Sequence, residues 1–247
     1  MNIALVGYGQ MGKQVEAVAS ERGHTIVARV DPIGGDFDEL TESIAQKADG
    51  AIEFSVPDAV FSNVQSYRKL GLNAVIGTTG WYDKLSQVRE MVESGNIGVL
   101  YGPNFSIGAH LFFKLVTQAA RLINPVKDYD ILGYELHHKK KKDSPSGTAH
   151  SIARLILENN ERKTSLVTEK LERAIEENEL HFASVRGGSL PGIHTVLLDS
   201  EADTIELTHT ARSRKGFALG AVMAMEWLEG RHGFFNVEDF ISEILRG

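Results

Sequence analysis

The stretch Ile3-Ala4-Leu5-Val6-Gly7-Tyr8-Gly9-Gln10-Met11-Gly12 decides the fold. Four apolar residues read as a short strand and run directly into G-x-G-x-x-G. Met11, Val15, Val18 and Ala19 then recur at helical spacing, so a helix opens on the glycines. Residues 25–30 read as a second strand ending at Asp31, about twenty residues past the glycines, where a dinucleotide-binding unit carries an acid. Each part has a physical task. Gly7 makes the tight turn, Gly9 lets a pyrophosphate approach the backbone, and Gly12 lets helix and strand pack closely. Tyr8, Gln10 and Met11 complete the turn, with the helix N-terminus facing the phosphates. Asp31 can accept hydrogen bonds from a ribose 2′-hydroxyl and would repel a 2′-phosphate. Pro32 stands where an arginine could have rescued NADPH binding. The expectation is NADH ahead of NADPH, while the nearby cations Lys13 and Arg29 leave dual use open.

Strand and helix patterns continue to alternate outward from this unit. Residues 39–48 read as a short helix, 51–55 as a strand, 58–70 as a helix with Pro57 at its first turn, and 73–76 as a strand. Residues 81–94 read as a helix and 97–100 as a strand. Such alternation with short links predicts an α/β fold with a Rossmann-type, doubly wound parallel sheet. Ligands of such sheets lie beyond the carboxyl ends of the strands. That places Phe54, the loop Gly77-Thr78-Thr79-Gly80 and the loop Tyr101-Gly102-Pro103-Asn104 among the expected cofactor contacts. After Asn104 the pattern changes. Residues 106–122 are helical, with Leu111, Leu115, Ala119 and Leu122 on one side. Residues 130–137 are strand-like and 146–157 helical, and the charged segment 159–179 reads as a short helix or surface excursion. Strands are expected at 181–186, 193–198 and 204–210, then closing helices at 217–228 and 237–245. This predicts a second α+β domain with a mixed or antiparallel sheet.

Composition narrows the class. The chain has 247 residues, 42% hydrophobic and 24% charged, as soluble globular proteins do. No apolar run approaches the ~18 residues of a membrane-spanning helix. The N-terminus has no basic region or small-residue cleavage site and reads as a strand rather than a signal peptide. With no cysteine, thiolate nucleophiles, disulfides and zinc–thiolate sites are excluded, and a reducing cytoplasm is the expected location. A net charge of −7 argues against nucleic acid as a partner.

Against that acidic background stands Glu135-Leu136-His137-His138-Lys139-Lys140-Lys141-Lys142-Asp143-Ser144-Pro145-Ser146-Gly147-Thr148-Ala149. A strand ends here and a helix starts, with Pro145 and Ser146 suited to its cap and first turn. The N–H groups of Ser146, Gly147 and Thr148, with two hydroxyls, make an anion cradle. Histidine supplies a proton donor near neutral pH. Adjacent residues on a strand face opposite ways, so His137-His138 does not read as a metal pair, and no metal is expected. Together these features describe a site for a small dicarboxylate.

The same block resembles the signature of the 4-hydroxy-tetrahydrodipicolinate (dihydrodipicolinate) reductase family. The likeness extends through Gly7 to Gly12, Gly77-Thr78-Thr79-Gly80, Asn104-Phe105-Ser106, Ser184-Val185-Arg186-Gly187, Gly192-x-His194-Thr195 and residues 212–220. The resemblance implies NAD(P)H-dependent reduction of a cyclic imine dicarboxylate in the diaminopimelate route to lysine. It implies His137 as general acid and Lys141 as a second catalytic donor. It assigns the substrate carboxylates to His138, Lys141, Ser146, Gly147 and Thr148. It assigns the cofactor to Gly7–Gly12, Asp31, Gly77–Thr79 and Tyr101–Asn104. It further implies a dinucleotide domain at 1–104 and 214–247, a substrate and oligomerisation domain at 105–213, and a homotetramer. Pro32 departs from the pattern of NADPH users, and 158–179 carries no assignable motif. Two alternatives remain at this point: another two-domain nicotinamide dehydrogenase, and a redox-sensing NAD(H)-binding regulator whose lysines contact DNA.

Overall fold

A computed structural model describes residues Met1–Arg246. The chain divides into two compact units, Met1–Ile107 with the segment from Arg214 onward, and Gly108–Ser213. In the first unit β1 (Asn2–Val6) is followed by α1 (Gln10–Glu21), β2 (Thr25–Val30), α2 (Glu42–Ala45), β3 (Gly50–Glu53) and α3 (Pro57–Leu70). β4 (Ala74–Ile76), α4 (Leu85–Glu93) and β5 (Gly98–Tyr101) come next. The second unit holds α5 (Ile107–Leu122, from Gly108 on), β6 (Asp130–His137), α6 (Gly147–Asn159), β7 (Ser165–Val167), β8 (Glu179–Arg186), β9 (Ile193–Asp199) and β10 (Thr204–Thr210). α7 (Lys215–Trp227), β11 (Gly233–Asn236) and α8 (Val237–Ile244) rejoin the first unit.

The first unit is built on a six-stranded parallel sheet in the order β11-β5-β4-β3-β1-β2. Alternation along each strand divides its apolar residues between two faces. Ile3, Leu5, Ile52, Val75 and Leu100 pack with α1, α7 and α8. Ala4, Val6, Ala51, Ile76 and Val99 pack with α3 and α4. This is the expected doubly wound α/β arrangement. Chain direction across the sheet reverses between β1 and β3, and the crevice at such a switch point is where these sheets hold ligands. Local chemistry sets the helix ends. α3 starts at Pro57, whose missing N–H costs nothing there, with Asp58 in its first turn and Arg68 and Lys69 in its last.

The second unit carries a five-stranded mixed sheet, β10-β9-β6-β8-β7. β6 runs parallel to β8 and antiparallel to β9. α5 and α6 cover one face around Phe112, Val116, Ile152, Phe182 and Val196. Buried Lys163 ties the excursion before β8 to the sheet, donating to the carbonyls of Glu177 and Glu179 at 2.9 Å and pairing with Asp130 at 2.7 Å. Among the described residues, no helix is long and apolar enough to cross a membrane.

Several expectations change. The helix expected over 39–48 shrinks to the four residues of α2, and the one over 81–94 begins as a 3-10 turn, Tyr82–Lys84. β11 was not anticipated, and the excursion supplies β7 instead of a helix. On α5, Leu111, Leu115 and Leu122 are exposed, whereas Phe112, Val116, Ala119 and Ala120 are buried. The helix is apolar on nearly every side, so periodicity alone could not select the inward stripe.

Candidate active site

The glycine turn lies at the carboxyl end of β1. Gly7 has φ 87°, and a Cβ there would lie 2.2 Å from the Phe54 carbonyl oxygen. A Cβ on Gly12 would lie 2.4 Å from the Gly7 oxygen. Both positions are closed to a side chain by packing. Gly9 differs: a Cβ there would meet nothing within 4 Å. Gly9 is also the N-cap of α1, which among the described residues has no side-chain cap and no acid in its first turn. The positive dipole end of α1 therefore begins beside an open glycine, as an approaching pyrophosphate requires.

The remaining cofactor candidates gather on adjacent strand ends. Gly77 donates to the Glu53 carbonyl at 2.8 Å, and Gly102 donates to that of Ile76 at 3.2 Å. A Cβ on Gly77 would strike the Phe54 ring at 2.1 Å. Ser55 N donates to Thr78 Oγ1 at 2.8 Å, so that hydroxyl is engaged in holding the two loops together. Tyr101 stacks on Phe234 at 4.8 Å and meets Trp81 edge-on, which makes it part of the packing. Thr79, Pro103 and Asn104 lie on the same loops, where Asn104 Oδ1 accepts from Ser106 N at 2.8 Å. Buried Glu53 braces the end of β3 by accepting from Ser55 (2.5 Å), Asn63 (2.8 Å) and Tyr67 (2.8 Å).

Asp31 accepts from Tyr8 N at 2.7 Å, Ile33 N at 2.9 Å and Gly34 N at 3.1 Å. These bonds, that of Tyr8 first, hold its carboxyl below the usual range and keep it charged. About four acceptor sites belong to a carboxylate, so one is left for a ribose hydroxyl. Arg29 is committed to its own neighbours. It pairs with Glu16, donates to Asp36 at 2.9 Å and lies over the Tyr8 ring.

In the second unit the chemical stretch spans the end of β6 and the start of α6. Alternation turns Glu135 and His137 to the buried side and leaves His138 half-buried. Strand register then sets Glu135 opposite both His194 and Ser184, and His137 opposite Arg186. The Glu135 carboxylate, wholly buried, accepts from Arg186 Nη2 at 2.7 Å, Ser146 N at 2.8 Å, Ser184 Oγ at 2.9 Å and the Ser146 hydroxyl. His137 Nδ1 and His194 Nε2 each lie 3.2 Å from its Oε2. Burial pushes the Glu135 carboxyl up, but bonds from His194, Ser146 and Arg186 outweigh it and hold the group ionised. Burial also pulls His137 down to about 4, opposed by Glu135 and assisted by His194, Lys141 and Arg186. Glu135, His137 and His194 bring donor atoms within 4.8 Å of one another. Glu135 Oε1 is already taken by Arg186, Ser184 and the Ser146 N–H, while Oε2 takes the Ser146 hydroxyl and faces the two imidazoles.

Both family models for dihydrodipicolinate reductase match the chain, the N-terminal one over residues 1–105 and the C-terminal one over 108–241. The chain belongs to the dihydrodipicolinate reductase family. It is 41% identical to the 4-hydroxy-tetrahydrodipicolinate reductase of Christiangramia forsetii, covering 100% of both chains. It is 35% identical to the enzyme of that name from Ralstonia nicotianae, over 98% of this chain and 100% of the other. Among solved structures, a dipicolinate-bound dihydrodipicolinate reductase from Paenisporosarcina sp. TG-14 matches with a TM-score of 0.77 and 25% identity, covering 98% of this chain and 99% of that one.

At the junction of β6 and α6, some expected residues take a different part. Ser146 is the N-cap of α6, and Pro145 precedes the helix instead of opening it. The Ser146 N–H donates to Glu135, and its hydroxyl contacts Glu135 and caps Ala149 N at 3.1 Å. Ser146, expected as a substrate contact, is thus engaged in the protein's own network. Gly147 is exposed, with nothing within 4 Å of a Cβ, so the anion cradle contracts to the N–H groups of Gly147 and Thr148. Lys141, half-buried, pairs with Asp143 at 2.9 Å. Lys139, Lys140 and Lys142 are exposed. Glu135, Ser184, Arg186 and His194 were not singled out individually from the sequence. The available signal was spacing: Glu135 and His137 stand two apart on a strand and must share a face.

Proposed function

We propose that this chain catalyses the NAD(P)H-dependent reduction of 4-hydroxy-tetrahydrodipicolinate, through dihydrodipicolinate, to tetrahydrodipicolinate in the diaminopimelate route to lysine. The observation that carries this is the junction of β6 and α6, where a buried imidazole stands beside an uncapped pair of helix N–H groups in a chain of this family. A bound reduced nicotinamide supplies the hydride. Gly7 to Gly12 receive its pyrophosphate, Asp31 accepts from its ribose, and the loops at Phe54, Gly77–Thr79 and Tyr101–Asn104 line its remaining length. Gly147 and Thr148 hold one substrate carboxylate through backbone N–H groups, while Lys141 and His138 offset the charge of the other. As negative charge spreads over the conjugated C=C–C=N system, His137 delivers a proton to its carbon end. The planar dicarboxylate dipicolinate, bound in the Paenisporosarcina relative, tests this assignment. It should inhibit competitively against substrate and not against cofactor, and inhibition competitive with cofactor alone would overturn the placement.

Lys141→Ala should lower kcat and raise substrate KM, with kcat/KM falling about 10- to 100-fold as a charge-assisted contact is lost. Unchanged kinetics would leave Lys141 as a surface partner of Asp143. NADH is the preferred cofactor in this reading. Glu16, Asp31 and Asp36 surround the end of β2, and Arg29 is occupied by two of them. The kcat/KM for NADH should exceed that for NADPH by about tenfold, equal to about 1.4 kcal/mol. Glu16→Gln, by freeing Arg29, should narrow the ratio, and an NADPH preference in the unaltered protein would contradict the assignment.

The same reading takes the first unit as the dinucleotide domain and the second as the substrate and assembly domain of a cytoplasmic homotetramer. It is supported by the sheet face turned away from α5 and α6. That face presents Leu132, Tyr134, Leu136, Val185, Ile193 and Leu197, none of which joins the unit's apolar core.

A further inference from the structure

We propose that Glu135 is a positioning residue that sets both the proton donor His137 and the anion cradle at the start of α6. This rests on the function proposed above. Two geometric facts carry it. First, His137 Nδ1 is buried without a hydrogen-bond partner, and Glu135 Oε2, 3.2 Å away, is an acceptor within reach of a small ring rotation. Second, Glu135 receives both the N–H and the hydroxyl of Ser146, which caps α6 immediately before Gly147 and Thr148. One carboxylate on β6 thus orients the imidazole two residues along its own strand and fastens the helix start eleven residues later.

The opposite side of the imidazole faces Gly192, the residue before β9. A Cβ on Gly192 would lie 2.8 Å from His137 Nε2, so a side chain at that position would strike this edge of the ring. With Nδ1 turned to Glu135, Nε2 is the nitrogen left to carry the transferable proton. Arg186 and Ser184 from β8 and His194 from β9 converge on the same carboxylate. They keep it ionised and fixed, which a group wholly removed from water requires. The charged and titratable groups around His137 are Glu135 on β6, His194 on β9, Arg186 on β8 and Lys141 on the following loop, which is itself paired with Asp143. Glu135 is the acidic member in direct reach, and it alone among those acting on the ring favours the charged imidazole.

The test is Glu135→Gln, which keeps the shape and removes the charge. General-acid activity requires a protonated His137 and declines as pH rises through its pKa. Without the carboxylate that pKa falls, so the decline in kcat should move about 1–3 units toward lower pH. At neutral pH kcat should drop at least tenfold, while KM for NADH stays unchanged. A uniform loss of activity with an unmoved pH profile would reduce Glu135 to a structural brace and overturn the proposal. A second measurement needs neither the variant nor turnover. Nitrogen-15 NMR of histidine-labelled protein, assigned with His137→Gln, should find neutral His137 protonated at Nδ1, and protonation at Nε2 would overturn the proposal directly. If the unaltered protein reduces no imine dicarboxylate, the function is refuted, and the tautomer still decides the position of Glu135.

Discussion

His137→Ala should lower kcat about 10²- to 10⁴-fold, the range of a positioned general acid, while leaving cofactor KM within about twofold. The size of the effect follows from what surrounds the ring. β6 delivers His137 to the buried side at its last residue, and burial pulls the imidazole down to about 4. In the free protein it is neutral at neutral pH. A substrate with two carboxylates adds negative charge beside it and pushes the value back up, so substrate binding takes up a proton. The sign of the pH dependence follows. kcat/KM, which reports the free protein, should begin to fall with rising pH earlier than kcat, which reports the complex. Both dependences should vanish in His137→Ala. A variant with ordinary kcat would transfer the proton delivery to another group.

The second large effect concerns folding. Gly220 lies inside α7, where a Cβ would stand 1.7 Å from the Phe105 carbonyl oxygen and 2.8 Å from its carbon. Phe105 is buried and follows directly on the loop Tyr101–Asn104. Gly220→Ala must push that backbone away from the helix, at a cost of about 3 kcal/mol or more. For a chain of this size that lowers Tm by about 6–12 °C. Because the displaced segment adjoins the proposed cofactor loop, cofactor KM should rise as well. Gly216→Ala is the control on the same helix. Its Cβ would meet the Ser106 hydroxyl at an ordinary 3.5 Å, and alanine's better helix propensity is worth about 0.5–1 kcal/mol. Equal melting temperatures for the two variants would refute the packing argument.

How much was legible in the sequence depended on how local the cause was. β1, α1 and β2 could be read in order because each is a short apolar pattern bounded by glycines or Asp31. β11 was missed because Gly233-Phe234-Phe235-Asn236 lies between two helices and becomes a strand only by pairing with β5. The inward face of α5 was missed because its leucines outweigh Phe112 and Val116 in any periodic reading. In the chemical stretch, the exposed lysines and the helix start were visible from spacing. Ser146 was read as an anion ligand, and its bonds to Glu135 arise only when strand and helix are folded together. His194, Ser184 and Arg186 stood in motifs the sequence displayed, but their convergence on Glu135 comes through cross-strand register, which joins residues about fifty apart.

The most direct test is the loss of reduced-nicotinamide absorbance when the protein meets the freshly made condensation product of aspartate semialdehyde and pyruvate. Rapid oxidation of NADH is expected, with slower oxidation of NADPH and none when sugars or amino acids replace the product. No oxidation of either nicotinamide with that product would contradict the proposed function.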